Sequence, residues 1–379
     1  MDKPEEGTLA EFQTNKNDIT KSRLVESGNR AEDFTLGEGE VLAKVERFSF
    51  TANNVTYGAV GEQIGYWEFF APSLAADESA DEWGIVPVWG FAEIVASNNP
   101  DIHIGERSYG YFPLANFLKM LPIRVSDTRF VDGAAHRSAL PAVYNSYDRL
   151  GAQSGHAAQD NLRALLNPLY GTSFCLVDAL QEEAFRNAAQ VVILSASSKT
   201  AIGLAFGLSR IEGDRPAIIG LTSPGNTGFV EATGSYDTVI GYDALDALPN
   251  QPSVLVDMSG NRSVLGAVHG ALGDNMLWCH NVGLTHWDDS ETKKDPAAAQ
   301  LIQERSAMFF APGHIARRTK EWGAMDFNEK VAGFLAEGMA HAGGWIQVHE
   351  TQGLAQFGPI YDRVVKGDMR AEEGIIITP

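Results

Sequence analysis

The stretch Gln190-Val191-Val192-Ile193-Leu194-Ser195-Ala196-Ser197-Ser198-Lys199-Thr200-Ala201-Ile202-Gly203-Leu204-Ala205 decides the fold. Its opening run of β-branched and leucine residues is the pattern of a strand buried on both faces of a parallel sheet. Four small residues follow, and an Ala/Ile/Leu helix is predicted from Ala201 through Leu208. Strand, tight turn and helix form a geometry in which backbone N–H groups and a helix N-terminus point at a pyrophosphate. The usual fingerprint glycines are mostly absent. Gly203 stands where close helix–strand packing would require it. On this reading Ser195, Ser197, Ser198, Lys199, Thr200 and Gly203 form a dinucleotide-binding turn.

Outward from this turn the chain has two textures. Toward the C-terminus, Pro216–Leu221, Thr238–Tyr242, Ser253–Gly260 and Asn275–Cys279 are further predicted strands, alternating with helix-compatible segments. That alternation implies an α/β domain with a doubly wound parallel sheet. Toward the N-terminus, about Val41 to Pro122, the chain is β-rich. Val41–Phe48 alternates apolar with polar or small residues. Ile85–Val95 reads as a strand pair broken at Pro87 and Gly90, and Gly105-Glu106-Arg107 as a turn opening another strand.

Composition excludes several classes of function. The 379 residues, 44% of them hydrophobic, can fill one or two cores. The net charge of −20 is spread along the chain and argues against nucleic acid as a partner. Two cysteines, Cys175 and Cys279, are too few for a disulfide framework or a four-cysteine zinc site. The first seven residues lack the apolar core of a signal peptide, and no apolar run approaches the ~20 residues of a membrane span. The expectation is a cytoplasmic protein acting on a small molecule.

The ordered series of segments resembles the medium-chain dehydrogenase/reductase superfamily, in its zinc-free, quinone-reductase-like branch. Asn53-Asn54-Val55-Thr56-Tyr57 is similar to that family's Asn-Pro-Val-Asp-Tyr segment. Pro87–Val95 is similar to its Pro-x-x-x-Gly region, with a later glycine replaced. Gly105-Glu106-Arg107 matches its Gly-Asp-Arg turn, and Val256-Asp257-Met258-Ser259-Gly260 its Asp-x-x-Gly stretch. Gly358–Tyr361 through Gly374–Ile377 resembles its closing helix and strand. The Ser-Ala-Ser-Ser-Lys-Thr-Ala run also resembles a divergent subgroup. The resemblance covers residues 38–379. It implies a GroES-like catalytic domain over 1–150, completed by 310–379, and a Rossmann dinucleotide-binding domain over 151–309. It further implies a homo-oligomer, a dimer.

The resemblance also implies site residues. Tyr57 is the first candidate donor to a developing oxyanion, and Asn53 the second, because the matching family segment lies beside the nicotinamide. Tyr144 and Tyr170 either border the cleft or are half-buried packing residues. Gly283 matches the place where the family backbone approaches the nicotinamide, or is a turn glycine. Tyr242 and Gly260 are further candidates for cofactor binding. Met308–Pro312 either lines the cleft or is core. Zinc-dependent members use an early Cys and a His-Glu pair; no cysteine precedes Cys175, and Phe91-Ala92 follows Gly90. No metal is therefore expected, and His269 and His280 are read as packing residues.

Cofactor choice is read from the end of the second strand, Leu221-Thr222-Ser223-Pro224-Gly225-Asn226. NAD enzymes place an Asp or Glu there, about 20 residues past the turn, on the ribose hydroxyls. Here there is none. Thr222, Ser223 and Asn226 tolerate a 2′-phosphate and Lys199 adds positive charge, which favours NADP(H); alternatively the three polar residues are turn formers. A P-loop is excluded because Ile193 and Ser198 stand where its glycines belong, and a nucleophile elbow because Gly-x-Ser-x-Gly is missing. The expected activity is zinc-independent, NADPH-dependent reduction of a carbonyl, quinone or activated alkene. The alternative is a sensory or regulatory protein that binds NADP(H) without turnover.

Overall fold

A computed structural model describes residues 8–74, 80–151, 157–283 and 296–379. The chain folds into two compact units. The first comprises residues 1–165, 347–369 and 373–379, the second 166–346 and 370–372.

In the first unit, strands β1 (Thr8–Asn15), β2 (Ser22–Arg30), β3 (Val41–Phe50), β4 (Trp83–Gly84), β5 (Pro87–Ser97), β6 (Arg107–Pro113), β7 (Phe117–Met120), β8 (Pro122–Ile123), β9 (Arg129–Asp132) and β10 (Ser146–Leu150) precede the second unit. Two small helices, α1 (Ala52–Ala59) and α2 (Gly61–Ile64), follow β3. A three-stranded sheet has the order β2-β1-β4. The nine-stranded sheet runs β17-β18-β3-β5-β6-β10-β9-β8, with β7 also on β3; β17 is Gln347–Gln352 and β18 is Glu373–Thr378. The C-terminal strand thus returns to pair antiparallel with β3.

The expected break at Gly90 does not occur. β5 runs unbroken through it, because a Cβ there would lie 2.1 Å from the Arg47 carbonyl oxygen of β3. The glycine permits close strand approach and does not end the strand. The hairpin β1–β2 lies outside the segment read as β-rich.

The second unit is a six-stranded parallel sheet. Its strands are β11 (Gln190–Leu194), β12 (Ala217–Thr222), β13 (Thr238–Gly241), β14 (Ser253–Asp257), β15 (Met276–Asn281) and β16 (Ser306–Met308). The spatial order β13-β12-β11-β14-β15-β16 is the doubly wound 3-2-1-4-5-6 arrangement. Alternation along β11 explains its continuous apolar sequence. Val191 and Ile193 pack on one face with Leu176 and Leu180 of α3 (Ala157–Glu182) and Leu204 and Leu208 of α4 (Lys199–Ser209). Val192 and Leu194 pack on the other face with Leu265, Val268 and Leu272 of α6 (Arg262–Leu272); α5 (Thr227–Ala232) follows β12. Both faces are therefore covered by helices.

The expected domain boundaries at 150/151 and 309/310 are not where the contacts divide the chain. Helices α7 (Ala311–Trp322) and α8 (Ala324–Ala342) belong to the second unit, where Phe334 of α8 sits edge-on to Tyr170, Phe174 and Phe206. Only β17, the closing helix α9 (Phe357–Val365) and β18 return to the first. Among the described residues, no helix is long and apolar enough to cross a membrane.

Candidate functional site

The carboxyl edge of the parallel sheet carries most of the expected site residues. Strand order reverses between β11 and β14, so the loops after these two strands flank the switch point where ligands of such sheets bind. After β11 the chain turns on Ser195, which has φ +55°, a left-handed conformation rare for a residue with a side chain. The Ser198 N–H closes the turn on the Ser195 carbonyl at 2.8 Å. Ser198 then caps α4, its Oγ accepting from Ala201 N at 3.3 Å. The α4 N-terminus thus opens directly from the turn, with no acidic residue in its first turn.

The turn touches the end of β12. Thr222 Oγ1 and Asn226 Nδ2 lie 3.3 and 3.2 Å from Ser197 Oγ, and Asn226 Nδ2 lies 3.1 Å from Ser223 Oγ. Thr222 is buried, Ser223 exposed and Asn226 half-buried. The four residues gather hydroxyls and an amide at one spot, and among the described residues no carboxylate is bonded into the group. Asp243 lies nearby: its Oδ1 and Pro224 Cα are both within 4 Å of where a Cβ on Gly241 would be.

Two residues sit differently from expectation. Gly203 does not serve helix–strand packing or the turn. A Cβ there would lie 2.6 Å from the Tyr170 ring and 2.8 Å from Ser173 Oγ, so it lets α4 approach α3. Spacing alone cannot tell which neighbour a helical glycine faces. Lys199 Nζ donates to the Ala371 carbonyl at 3.1 Å, so its ammonium is already engaged by the 370–372 segment. Thr200 offers its carbonyl to Ser173 Oγ at 2.8 Å.

The loop after β14 is braced by Asp257. Its carboxylate accepts from Ser259 N and Oγ at 2.9 and 2.6 Å and from Gly260 N at 3.1 Å, while Gly260 takes φ +65°. The Asp257 carbonyl accepts from Val282 N and Gly283 N. Gly283 is a glycine because a Cβ would lie 2.1 Å from the Met258 carbonyl oxygen. It allows the chain after β15 to lie against the chain after β14 at the same edge.

Tyr242 follows β13, and its Oη accepts from Ser195 N at 2.8 Å. Burial pushes its hydroxyl up to about 12, so it is neutral. Tyr236 Oη donates to the Ala196 carbonyl at 2.9 Å. Sequence reasoning missed Tyr236, and it quoted Asp257 within the Asp-x-x-Gly stretch without giving it a role. A signal for the first was Gly220 in β12, where a Cβ would meet the Tyr236 ring at 2.8 Å.

The first unit holds a separate cluster. Thr51 caps α1, which sets Asn53 and Tyr57 one turn apart on the same face. Asn53 Nδ2 donates to Tyr57 Oη at 2.7 Å. The buried Tyr57 ring stacks at a tilt on Tyr66, 4.4 Å between centroids, and meets Tyr111 edge-on. Tyr66 and Tyr144 share a 2.7 Å hydroxyl hydrogen bond. Among the described residues, Tyr111 Oη and Trp89 Nε1 are buried with no partner in hydrogen-bonding geometry. The Tyr57 hydroxyl faces Trp89, Tyr144 and Tyr111, and burial raises its pKa. Tyr144 thus belongs to the Tyr57 cluster, whereas Tyr170 packs in the second unit against Gly203 and Gly338. Of the segment 308–312, Phe309 packs in the core of the second unit, while Met308 and Phe310 are exposed.

Two of the buried histidines, His269 and His280, have packing roles. His269 Nδ1 accepts from Ile302 N at 3.0 Å, and burial lowers its pKa to about 4. His280 lies edge-on to Phe309. Among the described residues, no three His, Cys, Asp or Glu side chains group as metal ligands.

Several solved structures share this architecture. CurA from Vibrio vulnificus, in complex with NADPH, aligns over 97% of this chain and 98% of its own, with TM-score 0.62 and 16% identity. The quinone oxidoreductase from Coxiella burnetii aligns over 98% and 99%, with TM-score 0.53 and 14% identity. The yhdH oxidoreductase from Salmonella enterica, in complex with NADP, aligns over 98% and 99%, with TM-score 0.50 and 12% identity. The fold is thus the medium-chain dehydrogenase/reductase one, a GroES-like β-rich domain with a Rossmann sheet. No curated protein sequence matches the chain. A family model described as protein of unknown function (DUF2855) matches residues 48–370, and the chain belongs to that family.

Proposed function

We propose that the protein is an NADPH-dependent, zinc-independent reductase of a carbonyl, quinone or activated alkene. The observation that carries this reading is the turn after β11. It opens the α4 N-terminus beside a 3-2-1-4-5-6 switch point, next to a carboxylate-free group of hydroxyls and an amide. Neutral donors and a helix N-terminus fit phosphate oxygens, and the absence of a carboxylate at the β12 end fits a 2′-phosphate. Ser197, Thr222, Ser223 and Asn226 would hold that phosphate, and the first turn of α4 the pyrophosphate. Neighbours bound to NADPH and NADP support the same cofactor.

Bound NADPH supplies a hydride. The chain must then orient the acceptor and deliver one proton to it. Asn53 donates to Tyr57 Oη, so the Tyr57 hydroxyl acts as acceptor in that bond and keeps its own O–H as a donor. The aromatic walls of Tyr66, Tyr111, Tyr144 and Trp89 suit a planar, uncharged acceptor. With burial raising its pKa, Tyr57 stays protonated at neutral pH and donates to the developing oxyanion. The free buried thiols Cys175 and Cys279 accord with a reducing, cytoplasmic setting. The resemblance adds a dimer, which mass in solution tests.

Titration with both dinucleotides tests the cofactor. NADPH is expected to bind at least about tenfold tighter than NADH, a difference of roughly 1.4 kcal/mol. Equal affinities, or tighter NADH, would remove Thr222, Ser223 and Asn226 from the phosphate site. An NADPH-oxidation screen over quinones, enones and aldehydes then identifies the acceptor.

A further inference from the structure

The turn after β11 lacks the glycines that such turns use, yet it takes the conformation glycine favours. Ser195 has φ +55° without being Gly, Asn or Asp. Something outside the turn must hold it. Three successive peptide planes are tied down there. The Leu194–Ser195 plane is held by Ser195 N donating to Tyr242 Oη. The Ser195–Ala196 plane is held by Ala196 N donating to the Leu221 carbonyl and by the Ser195 carbonyl accepting from Ser198 N. The Ala196–Ser197 plane is held by the Ala196 carbonyl accepting from Tyr236 Oη. The torsions of Ser195 and Ala196 thus lie between peptide planes that are each held by hydrogen bonds.

We propose that Tyr242 and Tyr236 are positioning residues that replace the missing fingerprint glycines, clamping the Ser195–Ser198 turn in its phosphate-cradling shape through their hydroxyls. Both tyrosines flank β13, the edge strand next to β12, so the clamp reaches the turn from outside it. Gly220 in β12 makes the room: a Cβ there would lie 2.8 Å from the Tyr236 ring and 3.0 Å from Ala196 Cβ. The two hydroxyls act with opposite polarity, one accepting and one donating, so each suits the backbone group it faces. Burial keeps both neutral, so the clamp holds across the physiological pH range. The inference rests on the dinucleotide reading of this turn for its functional consequence and on the observed hydrogen bonds for its structural one.

The test is a double-mutant cycle between Tyr242→Phe and Ser195→Gly, read two ways. Amide hydrogen exchange of the 195–198 turn in the cofactor-free protein reads the clamp itself. Titration with NADPH reads its consequence. Tyr242→Phe is expected to speed exchange in the turn and to weaken NADPH about fivefold or more, at a near-unchanged melting temperature. In the Ser195→Gly background the same change should cost less than about twofold in affinity, because glycine takes this conformation unaided. Tyr236→Phe should also speed exchange in the turn. Unchanged exchange in Tyr242→Phe overturns the clamp, as does an equal loss of affinity in both backgrounds. Faster exchange in a protein that binds no dinucleotide leaves the clamp standing and overturns the dinucleotide reading instead.

Discussion

Replacing Gly283 by alanine is expected to loosen the carboxyl edge of the parallel sheet, and the structure sets the size of the effect. The new Cβ would lie 2.1 Å from the Met258 carbonyl oxygen and 2.9 Å from its carbon, both backbone atoms that cannot rotate away. The two strand-end segments must part by about 1 Å to reach van der Waals contact, a displacement of the size that overpacked cores pay 1–3 kcal/mol for. That movement strains the hydrogen bonds from Val282 N and Gly283 N to the Asp257 carbonyl, at 2.8 and 3.3 Å. Against it stands a gain of roughly 0.4–1 kcal/mol from the stiffer unfolded chain. Gly283 is not among the residues with positive φ, so no torsional penalty is added. Subtracting the two leaves a loss centred at about 1.3 kcal/mol, or about 3–5 °C in melting temperature for a unit of this size. Gly171→Ala is the control. It lies inside α3 with nothing within 4 Å of the added carbon, and should gain up to ~1 kcal/mol. Scanning calorimetry of the three proteins decides. A Gly283→Ala melting temperature at or above that of the unmodified chain would refute the close approach.

Tyr57→Phe keeps the ring contacts with Tyr66 and Tyr111 but removes the hydroxyl; turnover should fall ~10²-fold or more while NADPH affinity is retained, and an unchanged rate on a good substrate reassigns Tyr57 to packing. Activity and cofactor binding should survive chelation, and metal analysis should find no stoichiometric zinc; one zinc per chain whose removal abolishes function contradicts the zinc-independent assignment. His269 is held neutral by burial, with a folded pKa of about 4 against an ordinary 6.5, so the unfolded chain binds the extra proton. Stability should therefore fall as pH drops from about 6.5 toward 4, by at most ~1.4 kcal/mol per pH unit from this group. His269→Asn, whose side-chain oxygen can still accept from Ile302 N, should flatten that slope in denaturant titrations; an unaltered slope rules His269 out as its source.

How legible each part was depends on whether its cause lies within a short stretch of chain. The strand β11 was plain because both of its faces are buried, one by Val191 and Ile193 and the other by Val192 and Leu194. The hairpin strand β1 was not, because Glu11, Gln13 and Thr14 interrupt its apolar residues. All three are buried, and Glu11 accepts from Ser73 and Leu74, partners some sixty residues away that no local pattern announces. Gly90 read as a breaker because glycine usually is one; only the Arg47 carbonyl opposite it reveals a close approach between strands. The C-terminal boundary failed for the same reason. Helices α7 and α8 are tied to the second unit by distant partners, Phe334 by Tyr170, Phe174 and Phe206, and His314 by Asp178 at 2.6 Å.

The candidate site divides along the same line. Asn53 and Tyr57 are named together because the family segment they resemble lies beside the nicotinamide; the helix that joins their side chains, four residues apart, comes only with the fold. Lys199 reads as a positive charge for the 2′-phosphate, but its ammonium is engaged by a carbonyl 172 residues onward, which no local pattern announces. The turn itself was legible as a turn, but its missing glycines read as a weakness of the motif. They are better understood as a transfer of function. A glycine fingerprint lets the backbone reach its shape without help, whereas a serine there needs an outside hold. Tyr242 and Tyr236 provide that hold from beyond β12, so what defines this turn is a relation between two segments about forty residues apart. A motif search confined to residues 190–205 sees the loss, and only the fold shows the compensation.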